Sequence, residues 1–189
     1  MEYGRVTGGR VLRRRSFRVL ALLVLALFCG GSVLGLYDGL WKDERDGWFA
    51  AALLLAAGSF AYRITRSRVH AGESSLTVVN PLFSYEVPYG SIHRIEVSGS
   101  GSLTVLPKER VVDTEGEGYL VVGFAGSLLD RFFKTSDKAA AELKKYRSRG
   151  RRAPGADGPV HRKVVADVVA DAMLLTAAVC AVCALVFGR

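Results

Sequence analysis

The residues of this chain best able to do chemistry are few and scattered. Asp167 and Asp171 lie one helical turn apart at the start of an apolar run, and carboxylates at membrane depth often serve ion or proton paths. The same position suits the amino end of a helix, where negative charge is favoured, and Lys163, four residues before Asp167, could pair with it. Cys180-Ala-Val-Cys183 has the spacing of a redox or metal pair, but no His or second Cys pair accompanies it. With Cys29, all three cysteines fall inside apolar runs, where a thiol packs as a small apolar group. His70, His93 and His161 show no metal-ligand spacing. Glu115 and Glu117 flank Gly116 in an apparent polar turn. No nucleophile elbow, phosphate loop or dinucleotide fingerprint occurs. The expectation is therefore a non-enzymatic protein without a cofactor, in which no catalytic, cofactor or metal residue is nominated. Asp167 and Asp171 are kept for a transport alternative.

The elements that would position these residues are set by a segregation of charge from apolarity. Of 189 residues half are hydrophobic and 23% charged, yet the apolar ones gather at about residues 17–37, 48–64 and 164–187. The first run is charge-free past Arg18 and has the ~20 residues a helix needs to cross a bilayer. The second, Trp48–Tyr62, is shorter and rich in alanine. Aromatic residues close both its ends, and Arg63 could snorkel outward to lengthen it. Gly31-Ser-Val-Leu-Gly35, Ala57-Gly-Ser-Phe-Ala61 and the stripe Ala172, Thr176, Cys180, Ala184 are small-residue patterns that let helices approach closely, in a bundle or a homo-oligomer.

The net charge of +8 would fit a nucleic-acid partner, but the placement of the basic residues argues against one. Arg5, Arg10, Arg13, Arg14, Arg15 and Arg18 crowd the first run, Arg63, Arg66 and Arg68 follow the second, and a tract from Lys144 to Lys163 precedes the third. The short turn Asp38–Asp46 has a negative balance. By the positive-inside rule the amino terminus and the middle region are cytoplasmic, the turn is outside, and Arg189 ends outside after three spans. A cleaved export signal is the rival for the first run. Arg14-Arg15-Ser16-Phe17 resembles a twin-arginine signal and Leu25–Cys29 a lipoprotein site, but bulky Phe28 stands where a small residue belongs.

Between the second and third runs the sequence alternates and turns. Ser75–Asn80 and Leu82–Val87 read as a hairpin broken by Asn80-Pro81, and Ser91–Val97 as a third strand. Ser102–Leu106 and Tyr119–Phe124 read as further strands. Ser136–Tyr146 reads as a helix capped by Thr135 or Ser136. Lys144–Arg152 is basic and would draw anionic lipid headgroups, and the Gly- and Pro-containing stretch after it reads as a flexible linker.

The stretch Glu73–Val97 resembles bacterial pleckstrin-homology-like domains of actinobacterial membrane proteins. Leu76, Val78 and Asn80 match their Leu-x-Val-x-Asn strand; Val87, Pro88 and Ile92 match Val-Pro-Trp-x-x-Ile, with Tyr89 in the Trp position. The resemblance implies a partly open β-barrel closed by a helix, and it does not imply an enzyme. The phosphoinositide binding of eukaryotic relatives is not carried over, because no Lys/Arg cluster lies between the first strands.

The expected class is α+β: transmembrane helices plus a small pleckstrin-homology-like barrel or sandwich with a carboxyl-terminal helix. Its parts are a basic cytoplasmic amino terminus (1–16), a helical hairpin (17–64), the pleckstrin-homology-like domain (65–149), a basic flexible linker (150–163) and a third span (164–189). The expected function is a multi-pass cell-membrane protein that presents its domain on the cytoplasmic face as an interaction, scaffolding or regulatory module for an unidentified protein partner. The alternatives are a small transport or channel subunit and an exported envelope protein.

Overall fold

The computed structural model describes residues 2–6, 9–13, 16–42, 45–108, 118–124 and 135–187. The chain forms two compact units: Met1–Arg15 with Arg66–Val165, and Ser16–Thr65 with Ala166–Arg189. It is a mixed helix-and-sheet protein, and three of its helices are long and apolar enough to cross a membrane.

The first unit holds two antiparallel sheets. The larger has the order β1 (Glu2–Val6), β2 (Gly9–Arg13), β3 (Arg68–Ala71), β4 (Ser75–Val79), β5 (Phe83–Pro88) and β9 (His161–Val164). The smaller contains β6 (Ile92–Val97), β7 (Leu103–Pro107) and β8 (Tyr119–Leu120). Helix α3 (Thr135–Gly150) packs along β6. It buries Ser136, Ala139, Ala140 and Leu143, the one-face spacing of an amphipathic helix. Leu12, Val69, Leu76, Val78, Val87, Tyr89, Ile92, Ile95, Leu103 and Val105 complete a single core with that face. Alternation places these side chains: in β3 and β4 every second residue is buried, as a half-covered sheet requires.

The expected hairpin is present, β4 with β5, and the next two strands form a second, β6 with β7. The second turns at Gly101, whose φ of 85° is a conformation that glycine adopts freely. Three local features differ from expectation. The basic amino terminus carries strands, and β2 pairs with β3 through Leu12 and Val69, so a segment before the first helix joins the sheet. Within residues 150–163 the chain is tied down around Ala156 and Gly158. Ala156 is buried, its carbonyl accepts from Gly90 N at 2.8 Å, and Ser91 Oγ donates to Gly158 O at 2.7 Å. The stretch after Tyr119 is a short strand followed by a 3-10 turn, Val122–Phe124. Among the described residues the sheets do not close into a barrel. The expected turn at Glu115 and Glu117 lies outside the described residues.

The second unit contains α1 (Ser16–Trp41), α2 (Arg45–Thr65) and α4 (Val168–Val186). Helix α2 packs on both of the others and is the most covered of the three. That explains its alanine-rich, weakly apolar sequence, since small residues serve close helix packing. The third helix starts at Val168, four residues later than the apolar run, because Val164 belongs to β9.

Candidate functional site

Within the helical unit, the polar side chains gather where α2 meets the start of α4. The Asp167 side chain caps α4, accepting from Ala170 N at 3.3 Å. Asp171 Oδ2 accepts from the Asp167 N–H at 3.0 Å. This is the reciprocal arrangement of a capping box, with the returning carboxylate at the fourth helical position. Asp171 Oδ1 accepts from Arg63 of α2 in an ion pair. Beside it Ser59 Oγ donates to Ala170 O at 2.7 Å, and Tyr62 packs with Ala21 and Ala170.

This geometry corrects two expected contacts. Arg63 does not snorkel outward: its side chain is only 11% exposed and is paired with Asp171. Lys163 approaches Glu86 at 4.0 Å, across the β5–β9 pair. The two aspartates flagged by spacing therefore do belong to one site, together with an arginine 108 residues away. The arrangement neutralises Asp171 and satisfies the first turn of α4, which is the chemistry of a helix lock. A proton path would need a carboxylate aimed at an open cavity, and this one is held by a cation and a backbone amide.

The small residues also act inside the chain. Gly35, Gly39 and Gly47 bring the α1 and α2 backbones together, and Trp48 Nε1 donates to Gly39 O at 3.1 Å. Gly58 faces Phe28 and Met173. On α4 the buried stripe is Ala170, Met173, Ala177, Cys180 and Ala184, so Cys180 and Ala184 of the expected stripe face inward while Ala172 and Thr176 are exposed. Cys29 and Cys183 are partly buried, and the three cysteines are free thiols.

In the sheet domain the motif residues are structural. Leu76, Val78, Val87, Tyr89 and Ile92 are all core residues. Asn80 Nδ2 donates to Leu120 O at 2.8 Å and its Oδ1 accepts from Val122 N at 3.1 Å, tying the larger sheet to the smaller. Tyr89 Oη donates to Gly72 O at 2.9 Å, and burial raises its pKa. His93 and His161 are exposed on β6 and β9. His70 Nε2 accepts from Arg68 Nε at 2.7 Å, and burial, then the Arg68 charge, holds its pKa below the ordinary value. Among the described residues no group of His, Cys, Asp and Glu could hold a metal ion.

Ser148, Arg149, Arg151 and Arg152 line an open concavity of about 670 Å³ at the end of α3. Neighbouring Gly150 packs on Tyr89 and Glu73, beside the β3–β4 turn. The sequence signalled the charge of this tract but not its place in the fold.

Set beside family models, curated proteins and solved structures, the chain matches none of them.

Proposed function

We propose that this chain is a non-enzymatic membrane-anchored module, in which three spanning helices hold a pleckstrin-homology-like domain at the cytoplasmic face of the cell membrane. There the domain takes a protein or peptide partner, with anionic lipid as its other neighbour. The observation that carries the reading is the way the strands flanking the helices are sorted. The chain leaves the domain after β2, returns at β3 and leaves again after β9, and these three strands belong to one sheet. The antiparallel register puts the carboxyl end of β2, the amino end of β3 and the carboxyl end of β9 at the same end of that sheet. Helices joined there by two or three residues have their connected ends on one side of a bilayer. Arg14, Arg15, Arg66, Arg162 and Lys163 at the connections favour the cytoplasmic side.

Two sheets and a following helix around one core support the pleckstrin-homology-like part of the reading, as do the core positions of Leu76, Val87, Tyr89 and Ile92. The concavity at Arg149, Arg151 and Arg152 suits an acidic segment of a partner. The transport alternative is less well supported, because Asp171 is paired with Arg63 and Asp167 caps a helix.

The test is a pair of reporter fusions, one inserted after Ser100 in the exposed β6–β7 turn and one after Arg189. A cytoplasmic signal at Ser100 with an external signal at Arg189 is the expected result. An external signal at Ser100 would overturn the reading and make the chain an exported envelope protein.

A further inference from the structure

The end of the larger sheet that connects to the helices has a second property. Among the described residues of the sheet domain, three large apolar side chains are exposed: Leu82, Leu120 and Val164. All three lie at this end. Leu82 is in the β4–β5 turn and 48% exposed. Val164 ends β9 opposite Phe83, 78% exposed, and Val165 N donates to Leu82 O at 3.0 Å. Leu120 is held beside the same turn by the Asn80 side chain.

Two cations lie beside these tips. Lys163 stands opposite Ser84 with 73% of its side chain exposed, and the Arg162 guanidinium lies 3.6 Å over the Phe83 ring. Arg13 ends β2 and Arg68 begins β3 at the same end. The Glu86 carboxylate reaches Lys163 only at 4.0 Å and across exposed surface, a pairing worth little. Apolar tips flanked by Lys and Arg are how interfacial surfaces meet a bilayer. The apolar groups enter the headgroup boundary while the cations reach lipid phosphates.

We propose that this strand-end surface docks on anionic phospholipid headgroups, with Leu82 and Val164 as its inserted tips and Arg162 and Lys163 as its phosphate contacts. The inference rests on the membrane-anchored reading, which brings this end within a few residues of the spanning helices. It assigns the two basic surfaces different partners. The strand-end cations take lipid, while Arg149, Arg151 and Arg152, beside the β3–β4 turn at the sheet's opposite end, are left for a cytosolic partner.

The experiment uses the full chain with its three cysteines replaced by alanine, a spin label on Leu82→Cys, and reconstitution in nanodiscs. Neutral phosphatidylcholine discs are compared with discs that also contain phosphatidylglycerol, and the label is read by collision with oxygen and with a water-soluble nickel chelate. In anionic discs the label should move toward the lipid-exposed signature, and the docked-to-free ratio should fall about fivefold for each cation removed in Arg162→Gln and Lys163→Gln. Arg149→Gln with Arg152→Gln should leave the signal unchanged. A label equally water-exposed in both lipids, in a chain retained by the disc, overturns the docking surface but keeps the anchor. Equal loss from the Arg149/Arg152 pair overturns it as nonspecific attraction. A chain that does not stay in the disc overturns the anchored reading and the docking surface together.

Discussion

Replacing Gly47 by alanine is expected to part α1 from α2. A Cβ built there would stand 2.6 Å from Gly39 N and 2.7 Å from Gly35 O. Both are backbone atoms on the facing helix, so no side chain can rotate aside to make room. Overpacking usually costs ~1–3 kcal/mol, and a clash of backbone with backbone should lie at the upper end of that range. Gly30→Ala is the internal control, because a Cβ there meets nothing within 4 Å. Alanine's helix propensity should make that change neutral or stabilising by up to ~1 kcal/mol. Thermal unfolding of the purified chain in detergent would show a large fall in midpoint for Gly47→Ala and none for Gly30→Ala. Equal midpoints would mean that α1 and α2 do not meet through these glycines.

The second large effect concerns the Arg63–Asp171 pair, and its direction is asymmetric. Asp171→Ala removes the carboxylate facing a guanidinium that is only 11% exposed, whereas Arg63→Met leaves a carboxylate 43% exposed that still accepts from Asp167 N. Taking a carboxylate from a poorly hydrated cation costs more than taking a cation from a half-exposed carboxylate. Asp171→Ala should therefore destabilise the helical unit by on the order of 2 kcal/mol, discounted from the fully buried case for the exposure of Asp171. Arg63→Met should cost less. Arg63→Met combined with Asp171→Leu should recover most of the loss, because replacing a whole pair with apolar groups removes both desolvation costs. The same detergent unfolding series measures all three. If the double variant were no better than Asp171→Ala, the pair would not be acting as a lock between α2 and α4.

Much of this architecture was legible in the sequence. Alternation marked the hairpin Ser75–Val87 and the strands Ser91–Val97 and Ser102–Leu106, and the apolar runs marked the three long helices, because both signals are local. What escaped lacks such a signal. In β9 all four residues are exposed, so an edge strand of His, Arg, Lys and Val shows no alternation to read. In β2 the arginines around Val11 and Leu12 look like membrane-flanking charge, although Leu12 is buried in the core. The close approach of Ala156 and Asp157 depends on Gly90, where any side chain would collide with Ala156 O, 2.7 Å from a built Cβ, and with Asp157. That contact joins distant segments and leaves no mark in either one. The Arg63–Asp171 pair was half visible for the same reason: local spacing nominated Asp171 but offered only Lys163 as a local cation.

The account depends most on one feature, that strands before and after the α1–α2 hairpin pair in a single sheet. Val11 and His70 are register partners across β2 and β3. The decisive measurement is therefore a disulfide between Val11→Cys and His70→Cys in a chain whose three native cysteines are replaced by alanine, with a protease site inserted after Lys42. The account predicts that, after oxidation and cleavage, the two fragments stay joined until reductant is added. It also predicts that a mismatched pair, Val11→Cys with Ser100→Cys, gives fragments that separate. Fragments that separate in the matched pair as well would contradict the strand pairing, and with it the argument that the connected helix ends share one side of the membrane.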